Sequence, residues 1–164
     1  ADLLDHLREE YRPEFILLDV RSGLHDLGGL SLNGLSHLDV LFGREEPQSW
    51  AGLDVVLGLL GLATTRRDVF LVHAQVPPPE VDPGAHDRFR ERAFDLFRSR
   101  YYTQEDEVED ISDPDAPYGI PIPYQPSLQA TSDLSGIARL LRAPESGYIG
   151  LTRLIGTYLQ RETI

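Results

Sequence analysis

The chain contains no cysteine, no methionine and no lysine; all fifteen of its basic side chains are arginines. Without cysteine there is no disulfide framework, no thiolate metal site and no thiol nucleophile. Without lysine there is no ammonium to grip a phosphate as a point charge and none to form a Schiff base. Positive charge is scarce as well. Fifteen arginines face twenty-seven acids, and the formal charge of -12 disfavours a general nucleic-acid or anionic-membrane surface, since both reward clustered cations. Long apolar runs are missing too: no stretch is long and uninterrupted enough to span a bilayer, and the acidic N-terminus has no signal-peptide pattern. A cytoplasmic location is the default expectation. Methionine is absent even at position 1, and helical patterning starts at once, so the natural product is expected to begin further upstream, with this chain a fragment or a processed form.

What is present suits one globular unit. A length of 164 residues with 41% hydrophobic side chains gives room for a real core, and the chain reads as a single α/β domain over 1–164. Leu3, Leu4 and Leu7 place an apolar stripe on a first short helix that Pro13 ends. Phe15 to Asp19 reads as a buried strand, Leu38 to Phe42 as a second strand closed by Gly43, and Val69 to His73 as a third. Between the first two, Leu27 to Leu35 is a short helix or a packed loop. Ser49 is placed to cap a helix with Trp50, Leu53, Val56, Leu57 and Leu60 at helical spacing, stopped by Gly61. After Pro77-Pro78-Pro79, Asp82-Pro83 reads as an N-cap and first-turn proline for a helix burying Phe89, Ala93, Phe94 and Phe97. The acidic stretch Gln104 to Asp115 reads as a solvated loop. The prolines of Ile120 to Tyr124 make that segment an edge strand or a lining loop. Two helices finish the chain, Asp133 to Leu141 and Ser146 to about Gln160, the latter with Ile149, Leu151, Leu154, Ile155 and Leu159 apolar. This alternation predicts a three-layer sandwich with a mainly parallel sheet between helices. The carboxyl ends of its strands, Asp19 to Gly23, Gly43 to Ser49, His73 to Pro79 and Gln125 to Ala130, then share one rim, where such sheets keep their ligands.

The strongest pattern is Phe15-Ile16-Leu17-Leu18-Asp19-Val20-Arg21-Ser22-Gly23-Leu24, an apolar run that delivers an acid to a polar glycine loop. With Leu38-Asp39-Val40-Leu41-Phe42 and Gln48-Ser49-Trp50-Ala51-Gly52-Leu53, it resembles the second half of ParA/MinD-like P-loop ATPases of the deviant Walker A group. The similarity is to the branch whose Walker B strand runs into an Asp-x-Arg-Thr/Ser-Gly-Leu loop. It covers about the first 60 residues, the rest agreeing in element order. The resemblance implies ATP and Mg2+ as cofactors, with Asp19 orienting the metal through water and Gly23 sensing the terminal phosphate. Arg21 and Ser22 would stand beside the nucleotide. Relatives often carry an asparagine after the third of these strands to read the purine; here His73-Ala74-Gln75 occupies that position, and the amide of Gln75 has the matching chemistry.

The family's glycine-rich, lysine-bearing loop has no counterpart in residues 1 to 13 or elsewhere. The chain therefore reads as a P-loop NTPase-like half lacking the P-loop, and no ATP hydrolysis is expected of it alone. Its expected partners are a P-loop-bearing half or a second copy, along with other proteins. Two further readings use the same residues. A degenerate nucleotide-binding fold kept for its surfaces would be a non-catalytic interaction module, with an open sheet edge seeking a partner. A receiver-like phospho-acceptor domain would use Asp19, but it needs an early acidic pair and a strand-end lysine. The five histidines show no i,i+4 pair, Ser22 lacks a Gly-x-Ser-x-Gly setting, and the acidic run lacks the glycine and alternation of a calcium loop.

Overall fold

The structure is a computed structural model and describes residues 2–20, 35–63, 67–103, 110–113 and 116–161. Among these, three strands form one parallel sheet in the order β1 (Leu38–Gly43), β2 (Asp68–Val76) and β3 (Tyr118–Pro123). Helix α1 (Asp2–Tyr11) precedes the sheet. Helix α2 (Pro47–Gly61) connects β1 to β2, and α3 (Ala85–Arg100) connects β2 to β3. After β3 come α4 (Pro126–Ala130), α5 (Leu134–Leu141), a single 3-10 turn (Pro144–Ser146) and α6 (Tyr148–Arg161). The expected α/β architecture, a parallel sheet with helices on both faces, is present.

Strand β2 sits at the centre because it is apolar on both sides. Val69 to His73 are all buried, as a middle strand between two helical layers requires. Alternation sorts these side chains. Val69 and Leu71 face α2 and α3, joining Leu53, Leu57, Phe89 and Phe97 in the larger core. Phe70 and Val72 face the other way and meet Ile120, Ile122 and Leu151, with Leu154, Ile155 and Tyr158 of α6 packed alongside. The stripe of α2 (Trp50, Leu53, Leu57, Leu60) and that of α3 (Ala85, Phe89, Ala93, Phe97) follow the helical period, which lets both helices cover one face. An exposed fork joins the two helices, Arg100 donating from Nε and Nη2 to the Asp54 carboxylate at 2.8 and 3.0 Å. Gly147 lies at φ +77°, and a Cβ there would stand 2.4 Å from the Pro121 carbonyl oxygen, so the turn into α6 packs against β3 only as glycine.

At the amino end of the sheet, Asp39 of β1 accepts from Ser36 Oγ at 2.7 Å, and its Oδ2 lies 3.6 Å from Arg67 Nε. Both side chains of this ion pair are almost fully enclosed. Tyr101 at the end of α3 donates its hydroxyl to the Arg67 carbonyl, so the entry to β2 is held from both helix and strand.

Several boundaries differ from the sequence expectations. The buried strand expected at Phe15 to Asp19 is absent: residues 15–20 have no regular structure, and Phe15, Leu17, Leu18 and Val20 are exposed, Leu17 at 92%. Apolarity gives a strand its preference but not its hydrogen-bonding neighbour, and among the described residues β1 pairs only with β2. Helix α2 starts earlier than expected, with Glu46 as N-cap and Pro47 in the first turn. Ser49 is inside the helix, where its Oγ accepts from the Arg44 amide at 2.9 Å. The N-cap of α3 is Gly84 rather than Asp82; Val81 and Asp82 instead donate their amides to the Pro78 carbonyl in a turn, and the Asp82 carboxylate pairs with Arg88. The last helix begins at Tyr148 after a separate 3-10 turn, and Ile149 faces outward. Among the described residues β3 lies at an edge of the sheet, one of the two roles its prolines allow, and α5 is capped by Asp133, which accepts from the amides of Ser135 and Gly136, each at 2.9 Å. Residues 27–34 of the expected helix or packed loop, and residues 104–109 and 114–115 of the expected acidic loop, lie outside the described residues.

Candidate functional site at the carboxyl edge of the sheet

All three strands run the same way, so the ends of β1, β2 and β3 open onto one edge. Gly43 of β1 stands opposite His73 of β2, and His73 opposite Pro121 of β3. The sheet packs closely at Gly43. A Cβ there would lie 2.7 Å from Leu53 Cδ1 and 3.2 Å from Phe89 Cζ, so glycine lets β1 close against the helices just below the rim.

His73 continues the inward row of Val69 and Leu71 and is 1% exposed. Its ring lies flat on Phe89, with centroids 4.0 Å apart and planes 1° from parallel, while its Nδ1 is 3.3 Å from Nδ1 of His86 in the first turn of α3. Burial first, and then the neighbouring His86, push His73 down to about 4; burial and Arg90 also lower His86, with Asp87 acting in the other direction. At neutral pH the two rings are therefore neutral, and one donates to the other.

Two residues further on the backbone is strained. Gln75 adopts φ +58°, a left-handed conformation that costs a side chain with a Cβ roughly 1–2 kcal/mol. The ladder to β3 is irregular across Ala74 to Val76, and this bulge turns Gln75 out of the pleat and exposes it. On the β1 side of the rim, Glu45 accepts from Trp50 Nε1 at 3.2 Å and pairs with Arg92, whose guanidinium stacks 4.5 Å over the indole. Beyond it an open groove of about 560 Å³ runs between α2 and α3, lined by Pro47, Trp50, Asp54, Arg92, Asp95 and Ser99. Half-exposed Tyr124 follows β3 at the other side of the edge.

The residues expected to form the site are distributed unevenly. His73 and Gln75 stand at the end of β2 as expected, but the ring of His73 is committed to Phe89 and His86, leaving Gln75 as the open side chain of the two. Asp19 is exposed in the irregular segment 15–20 and is not held at a strand end. Arg21, Ser22 and Gly23 lie outside the described residues. Among the described residues no group of three or more His, Asp or Glu side chains is gathered to hold a metal ion, and no helix is long and apolar enough to cross a membrane. His86 was not singled out in the sequence, although it is the closest polar partner of His73. The signal for it is a histidine in the inward register of a central strand followed by another in the first turn of the next helix. Comparison with protein-family models, with curated proteins and with solved structures gives no match.

Proposed function

We propose that this chain is the Walker B half of a ParA/MinD-like nucleotide-binding ATPase, in which Asp19 serves the Mg2+ and Gln75 the purine once a P-loop-bearing half completes the sheet. The observation that carries the reading is an unfilled strand position. Among the described residues β1 has a neighbour on one side only and leaves Phe42 57% exposed, while the apolar segment ending in Asp19 has no ladder partner. A parallel strand supplied between them would bury both, and would bring the carboxylate to the same edge as Gln75. The left-handed Gln75 supports the reading further, because strain at an exposed rim residue persists where the surroundings impose it, and such positions cluster at ligand sites. Without a lysine the chain supplies Mg2+ orientation and base contact, but no phosphate grip.

The test is calorimetric titration with ATP and Mg2+ of the chain alone and of the chain mixed with an N-terminal half bearing a Gly-Lys-Thr/Ser loop. No binding and no hydrolysis are expected alone. Binding is expected in the mixture, and Asp19→Ala should abolish it. A mixture that associates without taking up nucleotide would make the chain a non-catalytic interaction module. Turnover by the chain alone would overturn the half-domain reading outright.

A further inference from the structure

The two histidines at the rim, His73 buried and His86 half-buried, have a geometry that does not depend on any nucleotide. Their ring planes differ by 15° and their centroids are 5.6 Å apart, with the two Nδ1 atoms 3.3 Å apart. The centroid separation is the nitrogen separation lengthened by about one ring radius at each end, so both nitrogens lie near the line joining the rings. That describes a straight N–H···N hydrogen bond between two nearly coplanar imidazoles. One ring belongs to β2 and the other to the first turn of α3, and Phe89, the next inward residue of α3, closes one face of His73.

The geometry points to a proton-operated latch: the His73–His86 hydrogen bond fastens the start of α3, and with it the connection that leaves β2 just after Gln75, to the sheet at neutral pH, and a second proton on the pair opens it.

The proton count explains why the second proton matters. In the neutral pair each imidazole carries one ring proton, and one of the two lies in the bond. A single added proton is tolerated: half-buried His86 becomes the imidazolium and donates Nδ1–H to Nδ1 of His73, which keeps its proton on Nε2. The next proton has only the Nδ1 lone pair of His73 to enter, and that lone pair is the acceptor of the bond. Two N–H groups and two positive charges would then face each other across 3.3 Å in a water-poor site. On the packed elements one carboxylate, Asp87, favours a proton on His86, and none bears on His73. α3 brings Arg90, which adds positive charge, and Asp87, which bears on His86; the β1 end brings Gly43 with Ser49 nearby, and β3 brings Pro121. Glu45 is engaged by Trp50 and Arg92, and Asp82 by Arg88.

The sign follows from the lowered His73, at about 4 when closed against an ordinary 6.5 when open. The closed form is favoured above 6.5, and the advantage is lost as the pH falls from 6.5 to 4, because the open form binds the proton that the closed form excludes. Between pH 7 and pH 4 the ratio of open to closed should rise on the order of a hundredfold.

Amide hydrogen exchange resolved by residue, corrected for the intrinsic pH dependence, tests this on the whole chain. Amides of 85–90 should lose protection by that factor on acidification, while those of Leu71 and Val72, which open only with the whole fold, keep theirs. His73→Phe retains a flat ring against Phe89 and removes the titration, so its 85–90 protection should be independent of pH. Imidazole 15N spectra of the unmodified chain provide the check should that variant fail to fold: His73 Nδ1 should read as a hydrogen-bond acceptor at pH 6, and protonate only together with the loss of protection. Titration of His73 at its ordinary value, or equal loss of protection in β2 and α3, would overturn the latch.

Discussion

Gln75, like Arg12, holds a side chain at positive φ, and it does so inside a strand. Its side chain is exposed and its backbone is left-handed, so whatever holds it there acts on the main chain through the bulge against β3. Gln75→Gly should remove the strain and stabilise the chain by about 1 kcal/mol, whereas Gln75→Ala, which keeps a Cβ, should give no such gain; equilibrium denaturation in urea measures both. A loss of stability in the glycine variant would mean that the Gln75 amide has a partner worth more than the strain. The same residue shows what sequence can reveal at this scale. The position of His73-Ala74-Gln75 at a strand end is legible from the apolar run before it. The left-handed backbone is not, because nothing in Ala74-Gln75-Val76 names a turn, and the bulge arises from the proline-limited partner strand.

At the scale of elements, the three strands of the sheet and the two helices between them follow from apolar spacing, because each buries a face against a neighbour inside the same chain. The segment Phe15 to Val20 is the exception. Its composition is that of a central strand, but a strand is stabilised by its neighbours, and no described strand lies beside it. Helix starts were read less well. Ser49 and Asp82 have side chains suited to capping, yet each is drawn into a local hydrogen bond or ion pair while proline and glycine nearby set the actual boundary. The buried pair Asp39–Arg67 was invisible in the sequence, since it joins the start of β1 to the residue preceding β2 across a connection that includes a whole helix. Removing one member should cost more than replacing both. Asp39→Ala should destabilise by about 3–5 kcal/mol, and Asp39→Leu combined with Arg67→Met should recover much of that loss. Urea denaturation of the singles and the double provides the comparison, and a double variant no better than Asp39→Ala would show that the pair contributes net stability of its own.

For the whole molecule, the decisive fact is the asymmetry of the sheet's two edges. β3 is guarded by Pro121 and Pro123, which cannot donate to another strand, whereas β1 carries no proline and ends beside an exposed phenylalanine. Among the described residues β1 is therefore the edge open to an added strand. In a parallel sheet alternate amides of a strand point to opposite neighbours, so half of those in Leu38–Gly43 serve β2 and half face outward. Hydrogen exchange on the chain alone should find the outward half unprotected. On the proposed half-domain reading, mixing with a P-loop-bearing half should protect those amides, and Phe15 to Val20 should gain protection in the same titration, since one added strand would border both. Protection of β1 without residues 15–20 would mean that the partner docks as an edge strand and leaves Asp19 outside the site, which separates an interaction module from a completed ATPase.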